Sequence, residues 1–349
     1  MSALFGDLEA ARAGAAEQHG SMVDDWGVPP FSVLDTRQAY WQERRRRWLS
    51  LGMRSELGRE ADLLALSPAE QARARWKLES GSGRELEAGK GNARSDYGVY
   101  TTAEGQGAQN GTSVFDPVLC ELAYRWWCPP GGTILDPWAG GSVRGLVAAQ
   151  LGHPYIGVDL SAAQVAANVN QLGLLDPGTP PPTWHVGDST QLTQVVGSVE
   201  ADMVFSCPPY YDLEVYSSDP RDLSAKGTYA EFLEGYAATI HAAAGHLRHG
   251  RFMVLVVGEI RDKRGVLRGF VPDTVAAMQA AGLELYNDAI LVNSAGTLPL
   301  RAGKYMRSTR KLGRAHQYVL CAVKGTWDEA RGWTAIREEP PQPQLGLGL

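Results

Sequence analysis

Four stretches of the chain hold side chains whose type and spacing could do chemistry. The first is TILDPWAGGSVRG at 133–145. A short apolar run stops at Asp136, a turn with Gly140 and Gly141 follows, and a helix can start near Ser142. Glycines at such a turn let the backbone come close to a ligand, and α/β sheets bind ligands at the carboxyl ends of their strands. The spacing is neither the dinucleotide pattern G-x-G-x-x-G nor a phosphate loop with its lysine. Taken alone, these residues also make an ordinary tight strand-to-helix turn.

The second stretch, IGVDLS, puts Asp159 at a strand end about 20 residues after the glycine turn, where a carboxylate can accept both hydroxyls of a ribose. The third, HVGDST, puts Asp188 behind Gly187, where it can meet an adenine amino group. Either aspartate alone could be a helix cap or a turn residue. Three acidic strand ends read together as one lip and favour an adenosine-bearing ligand. The fourth stretch is SCPPYYDLEVYS at 206–217. Two prolines stiffen the backbone and remove two N–H donors, which leaves carbonyls as acceptors. Tyr210 adds a flat ring. Acceptors beside a ring plane suit an amino group on a stacked base. The plain alternative is a Pro-Pro loop with a core tyrosine.

The elements that must position these residues follow from the pattern around them. Short apolar runs alternate with helical stretches from 111 to 325: TILD, YIGVD, TWHVGD, ADMVFS, RFMVLVVGE, LELYNDAILV and HQYVLCAVKG. That alternation predicts an α/β fold with a mostly parallel, doubly wound sheet. The last two runs have no evident helix between them. They read as an antiparallel edge hairpin joined by a long loop, 293–315. Residues 1–110 read as a helical N-terminal segment and linker. Ser67, Pro68 and Glu70 open a helix over 67–80 with a capping box, and 81–114 is a Gly/Ser-rich linker. Residues 326–349 read as a tail whose Pro/Gly-rich end is expected to be disordered.

Composition bounds the function. The chain has 349 residues, 44% hydrophobic and 21% charged, so it can bury a sizeable core. Cys120, Cys128, Cys207 and Cys321 have no close-paired spacing, which excludes a disulfide framework and a CxxC-type zinc site. No metal is expected. No apolar run reaches the ~18 residues of a membrane helix, and the acidic start is no signal peptide. A soluble cytoplasmic protein with no membrane partner is expected. A net charge of −6 argues by itself against nucleic acid. Its distribution does not: residues 111–247 hold 4 Lys/Arg against 14 Asp/Glu, and residues 248–314 hold 12 against 5. Such polarity can focus a polyanion on one face, although chance variation of a surface gives the same counts.

Four longer stretches carry a resemblance: VPPFSVLDTRQAYWQERRRRW (28–48), TSVFDPVLCELAYRWWCPPGGTILDPWAGGSVRG (112–145), YIGVDLS (155–161) and FSCPPYYDLEVYSSDPRDLS (205–224). Through them the chain resembles S-adenosylmethionine-dependent DNA methyltransferases that act on exocyclic amino groups, the N4-cytosine and N6-adenine class. More narrowly, it is similar to DNA methylases of actinobacterial phages and their hosts. The resemblance implies a Rossmann-like class I methyltransferase fold, S-adenosyl-L-methionine as cofactor and double-stranded DNA as partner. It implies that Asp136, Pro137, Trp138, Ala139, Gly140 and Gly141 wrap the methionine part of the cofactor. Asp159 and Leu160 would hold the ribose, and Gly187 and Asp188 the adenine. The segment 113–116, with Ser113 and Phe115, would close over the methionine end. The helix behind it is legible from the residues themselves: Asp116 caps, Pro117 follows, and Val118, Leu119, Leu122 and Trp126 share a face.

The acceptor side would be Ser206, Cys207, Pro208, Pro209 and Tyr210, with a flipped base on Tyr210 and its amino group in line with the donor methyl. Cys207 departs from the family, which has Asp, Asn or Ser there. A thiol is a weak hydrogen-bond partner, so the amino group would rely on the Pro208 carbonyl and on Ser206 or a nearby Asp. Cys207 could instead attack a pyrimidine ring, as in carbon-5 methylation, or be a buried spectator. Six cations without an acid, Arg301, Lys304, Arg307, Arg310, Lys311 and Arg314, would bind DNA, with RDKRGVLR (261–268) beside them. That many phosphate contacts make binding steeply salt-dependent, though a solvated loop has the same composition. Arg44 to Arg47 on one helix point all ways and read better as a solvated face. The alternatives are an RNA methyltransferase, for example on N2 of guanine, and a non-catalytic DNA-binding relative.

Overall fold

The computed structural model describes residues 26–54 and 115–329, apart from 214, 215, 218, 295, 297 and 327. In chain order the elements are β1 (Val33–Asp35), α1 (Ala39–Leu49), α2 (Pro117–Trp127), β2 (Ile134–Asp136), α3 (Val143–Gln150), β3 (Tyr155–Asp159), α4 (Ala162–Val169), β4 (Thr183–Val186), α5 (Leu192–Val196), β5 (Ala201–Ser206), α6 (Tyr229–His246), β6 (Leu247–Val257), α7 (Phe270–Ala280), β7 (Leu283–Val292), α8 (Leu298–Thr309) and β8 (His316–Lys324). The strands form one sheet in the order β1-β7-β8-β6-β5-β2-β3-β4. Every pairing is parallel except those of β8, which runs antiparallel between β6 and β7. The start of β8 therefore lies at the edge where the other strands end: His316 is opposite Val292 and Tyr318 opposite Val257.

Period-2 alternation in the buried strands feeds two cores, one on each face of the sheet. Met203 and Phe205 of β5, with Phe252, Val254 and Val256 of β6, pack on one side with α1, α2 and α3. Ala201, Val204, Met253, Leu255 and Val257 pack on the other with α6 and α7. Asp116 caps α2 by accepting from the Val118 N–H, and Pro117 opens the helix. Thr228 and Glu231 form a reciprocal capping box on α6, which satisfies two of its orphan end groups.

Residues 26–54 are part of this body and add a strand to the sheet, where a helical segment was expected. β1 pairs in parallel with β7 and lies outside it, so the antiparallel pair is not the outermost edge. α1 is bound to α2 by two buried indole N–H donors, Trp41 to Asp116 at 3.0 Å and Trp48 to Glu121 at 2.7 Å. Arg44 pairs with Glu121, Arg47 with Glu43, and Arg46 donates to the Gln42 carbonyl. The second difference is α8, which occupies most of the stretch expected to be a loop. The helix expected over 67–80, the linker over 81–114 and the tail beyond 329 lie outside the described residues.

Candidate active site

The glycine turn leaves β2 at the middle of the sheet, and each of its carbonyls from Pro137 to Gly140 has a donor. Ser189 Oγ donates to the Pro137 carbonyl, Arg144 to those of Trp138 and Ala139, and Asn168 Nδ2 to that of Gly140 at 2.7 Å. The N–H groups of Trp138, Ala139 and Gly140 go to Asp136, Val158 and Asp159. Gly140 has φ +50, the left-handed region that glycine enters without a Cβ penalty. Among the described residues no acceptor meets the N–H of Gly141, at the mouth of α3. The turn is thus fixed by hydrogen bonds at each of its carbonyls from Pro137 to Gly140.

Arg144 is the centre of that fixing. Its guanidinium is buried, donates to Asp136 at 2.5 Å, and lies 4.8 Å from the centroid of the Phe115 ring. Burial is the largest single influence and works against its charge, but Asp136, together with Tyr155 and Cys207, more than offsets it and keeps the group cationic. Asp136 is wholly buried, and it also accepts from the Tyr155 and Ser206 hydroxyls. Two expectations are corrected here. Asp136 does not form an acidic lip with Asp159 and Asp188, because its carboxylate is consumed below the turn. Ser206, expected to help hold an amino group, donates to Asp136 and is buried at the end of β5. The physical reason is the same for both: a carboxylate beside a buried guanidinium draws in every nearby hydroxyl.

Asp159 and Asp188 do stand at the neighbouring strand ends. Asp159 accepts from the N–H groups of Gly140 and Ser161, one at each carboxylate oxygen. Asp188 accepts from Thr190 through Oδ1, and among the described residues no donor meets Oδ2. Gly187 is required beside it, since a Cβ there would fall 2.5 Å from Val195 Cγ2. Leu160 is half-buried at the same edge. Trp138 does not face this crevice with its ring; it stacks on Tyr236 at 5.3 Å and 15°. Phe115 sits edge-on to Phe205 at 5.7 Å, next to Arg144. Ser113 lies outside the described residues.

β5 is the neighbour of β2, so the loop after Ser206 lies alongside the glycine turn. Cys207, Pro209 and Tyr210 are half-buried and Pro208 is buried. No donor among the described residues meets the Pro208 or Pro209 carbonyl. The Tyr210 hydroxyl donates to the Val256 carbonyl at 3.3 Å, accepts from Gln317 Nε2 at 2.9 Å, and is 3.7 Å from Cys207 Sγ. Tyr211 follows with φ +52, an uncommon backbone for a bulky residue. Arg268 stacks 4.9 Å from the centroids of both Tyr211 and Tyr229 and so pins it.

The basic residues gather on the same edge. Lys304 and Arg307 are exposed on α8, and Arg301 lies on that helix too. Arg310, Lys311 and Arg314 follow in the turn before β8. The segment 261–268 folds back through an Arg261–Leu267 bridge. A side chain at Gly265 would overlap the Lys311 ammonium, so the two basic segments touch. A separate hollow of about 440 Å³ between α6 and α7 is lined mainly by alanines, with Thr190 and His241 as its polar members. It lacks a nucleophile and paired acids. Sequence reasoning missed Arg144, Tyr155, Asn168, Ser189 and Gln317; only Arg144, eight residues after Asp136, had a local signal.

No family model matches the chain, and no curated protein matches it. Solved structures that resemble it include TrmN from Thermus thermophilus, with 18% identity, a TM-score of 0.40, and coverage of 60% of this chain and 49% of that one. A methyltransferase from Pyrococcus furiosus has 14% identity and a TM-score of 0.40, covering 73% of this chain and 98% of that one. A TehB-like SAM-dependent methyltransferase from Corynebacterium glutamicum has 16% identity and a TM-score of 0.36, covering 73% and 97%. The chain spans about half the length of TrmN. What fixes the architecture is the sheet itself: helices on both faces, a mostly parallel order, and one antiparallel strand inserted beside the last parallel one. The chain has a Rossmann-like α/β fold, a mostly parallel doubly wound sheet with one antiparallel strand inserted.

Proposed function

We propose that the protein transfers a methyl group from S-adenosylmethionine to the exocyclic amino group of a cytosine (N4) or adenine (N6) rotated out of duplex DNA. The observation that carries this reading is the adjacency of two features on neighbouring strands: the braced glycine turn after β2, and the donor-free carbonyls of Pro208 and Pro209 beside Tyr210 after β5. The donor set fits the cofactor. The Gly141 N–H suits a carboxylate, Asp159 suits ribose hydroxyls, and Asp188 Oδ2 suits an amino group on a purine. When bound, the cofactor supplies an activated methyl on a sulfonium.

The chain's own residues do the rest. Pro208 and Pro209 accept from the amino group and aim its lone pair. Tyr210, held at its hydroxyl by Gln317, offers a ring face for stacking. Alignment of nucleophile and methyl is the main source of rate. The basic edge formed by α8, the 310–314 turn and the 261–268 segment holds the phosphates. Cys207 is a neighbour of Tyr210 in this reading and makes no bond to the base.

The test incubates the protein with methyl-labelled cofactor and either duplex DNA or tRNA. Label in DNA is the expected result. Label only in tRNA replaces the reading with an RNA methyltransferase, and tight DNA binding without transfer replaces it with a non-catalytic binder. Tyr210→Ala should abolish transfer and spare cofactor binding. Cys207→Ser should keep or raise activity, whereas near-complete loss would favour attack on carbon 5.

A further inference from the structure

The turn between α8 and β8 has a shape that binding phosphates alone does not explain. Arg310 lies at φ +58, so the chain reverses sharply there on a residue that is not glycine. Leu312, two residues on, is 74% exposed at the apex. The turn is braced from two sides. A Cβ on Gly313 would fall 2.5 Å from Leu298 Cδ1, so the turn packs against the first residue of α8, and Lys311 lies over Gly265 of the neighbouring basic segment. Arg310, Lys311 and Arg314 flank the leucine, with Lys263 and Arg264 on the segment it abuts. Leu312 is five positions before Gln317, which donates to Tyr210, so the two Cα atoms are within about 18 Å by chain length.

A singly exposed leucine is ordinary. One held at the apex of a braced cationic turn, beside a pocket for a planar ring, is placed to do something specific. Resting on the duplex-DNA reading above, we infer that Leu312 enters the base stack and fills the gap left when the target base rotates out. Apolar wedges set among Lys and Arg are how proteins open base steps: the cations hold the phosphates and the wedge replaces lost stacking. The wedge and the pocket are mechanically joined, because the strand that starts behind the turn carries the residue that positions Tyr210. Leu300, 73% exposed in the first turn of α8 and outside the 310–314 turn, serves as the control.

Opening a base step unwinds DNA, so the readout is the linking number of a plasmid relaxed by topoisomerase with saturating protein and cofactor. The unaltered protein should lower the linking number. Leu312→Ala should bind the same DNA within twofold in affinity and leave the linking number unshifted, while Leu300→Ala should behave as the unaltered protein does. An equal shift with Leu312→Ala overturns the inference, as does no shift with the unaltered protein. A tenfold loss of affinity with Leu312→Ala overturns it too, because Leu312 would then be a docking contact. Methyl transfer to the same plasmid is measured separately. Leu312-dependent unwinding without transfer sinks the proposed reaction alone, and transfer without Leu312-dependent unwinding sinks the wedge alone.

Discussion

Arg144→Met is the most informative perturbation of the buried network. Methionine keeps an unbranched apolar stem and removes the charge. Asp136, wholly buried, keeps the Tyr155 and Ser206 hydroxyls and the Trp138 N–H but loses its only counter-charge among the described residues. The Trp138 and Ala139 carbonyls lose their donor. Breaking a buried ion pair from one side costs about 3–5 kcal/mol, because an uncompensated charge remains. In a domain of this size each kcal/mol lowers Tm by roughly 2–4 °C, so a fall of about 6–20 °C is expected. Urea and thermal unfolding of Arg144→Met, Asp136→Asn and the double variant complete a cycle. The double variant should be less destabilised than the sum of the singles, with a coupling of about 2 kcal/mol or more. A single variant within about 1 kcal/mol of the unaltered protein, or a strictly additive cycle, would refute the claim that this pair braces the turn.

Replacing Lys304, Arg307, Arg310 and Arg314 together by alanine should flatten the slope of log K against log salt for duplex DNA by about 3.6, from roughly 0.9 per lost phosphate contact; fluorescence anisotropy at several salt concentrations measures it, and an unchanged slope contradicts the basic edge as the phosphate site. Asp159→Ala should weaken S-adenosylmethionine binding at least ~10-fold by calorimetry, the scale of one charge-assisted hydrogen bond or more. Gly187→Ala should cost about 1–3 kcal/mol in urea unfolding, since the methyl meets Val195. Burial holds the His153 imidazole below its usual 6.5, despite its Gly132 carbonyl partner and nearby Asp202. As pH falls through 6.5 the unfolded chain takes up a proton that the folded one refuses, so stability drops until the folded pKa is passed. His153→Gln should flatten that decline in unfolding curves between pH 7 and about 5.

The fold was legible where hydrophobic patterning is dense. Buried strands such as ADMVFS and RFMVLVVGE announce themselves by continuous apolar character, and Asp116-Pro117 announces α2. β1 was not legible because three residues, VLD, carry too short a pattern, and it exists only through its pairing with β7. α8 was hidden because LPLRAGKYMRST contains Pro299 and Gly303, the two residue types least favoured in a helix. The site was legible as a set of strand ends, which is a property of the chain's order. It was not legible which ends face outward. Asp136 and Asp159 look alike in sequence, and only the fold brings Tyr155 and Ser206 onto the first. Gln317 lies 107 residues from Tyr210, and only the antiparallel insertion of β8 brings them together.

Digestion to nucleosides, followed by mass spectrometry, of unmethylated duplex DNA incubated with the protein and S-adenosylmethionine addresses the chemistry itself. N4-methylcytosine or N6-methyladenine appearing with the unaltered protein, and absent with Tyr210→Ala, is the predicted result. Recovery of 5-methylcytosine, or of unmodified nucleosides alone, contradicts the account.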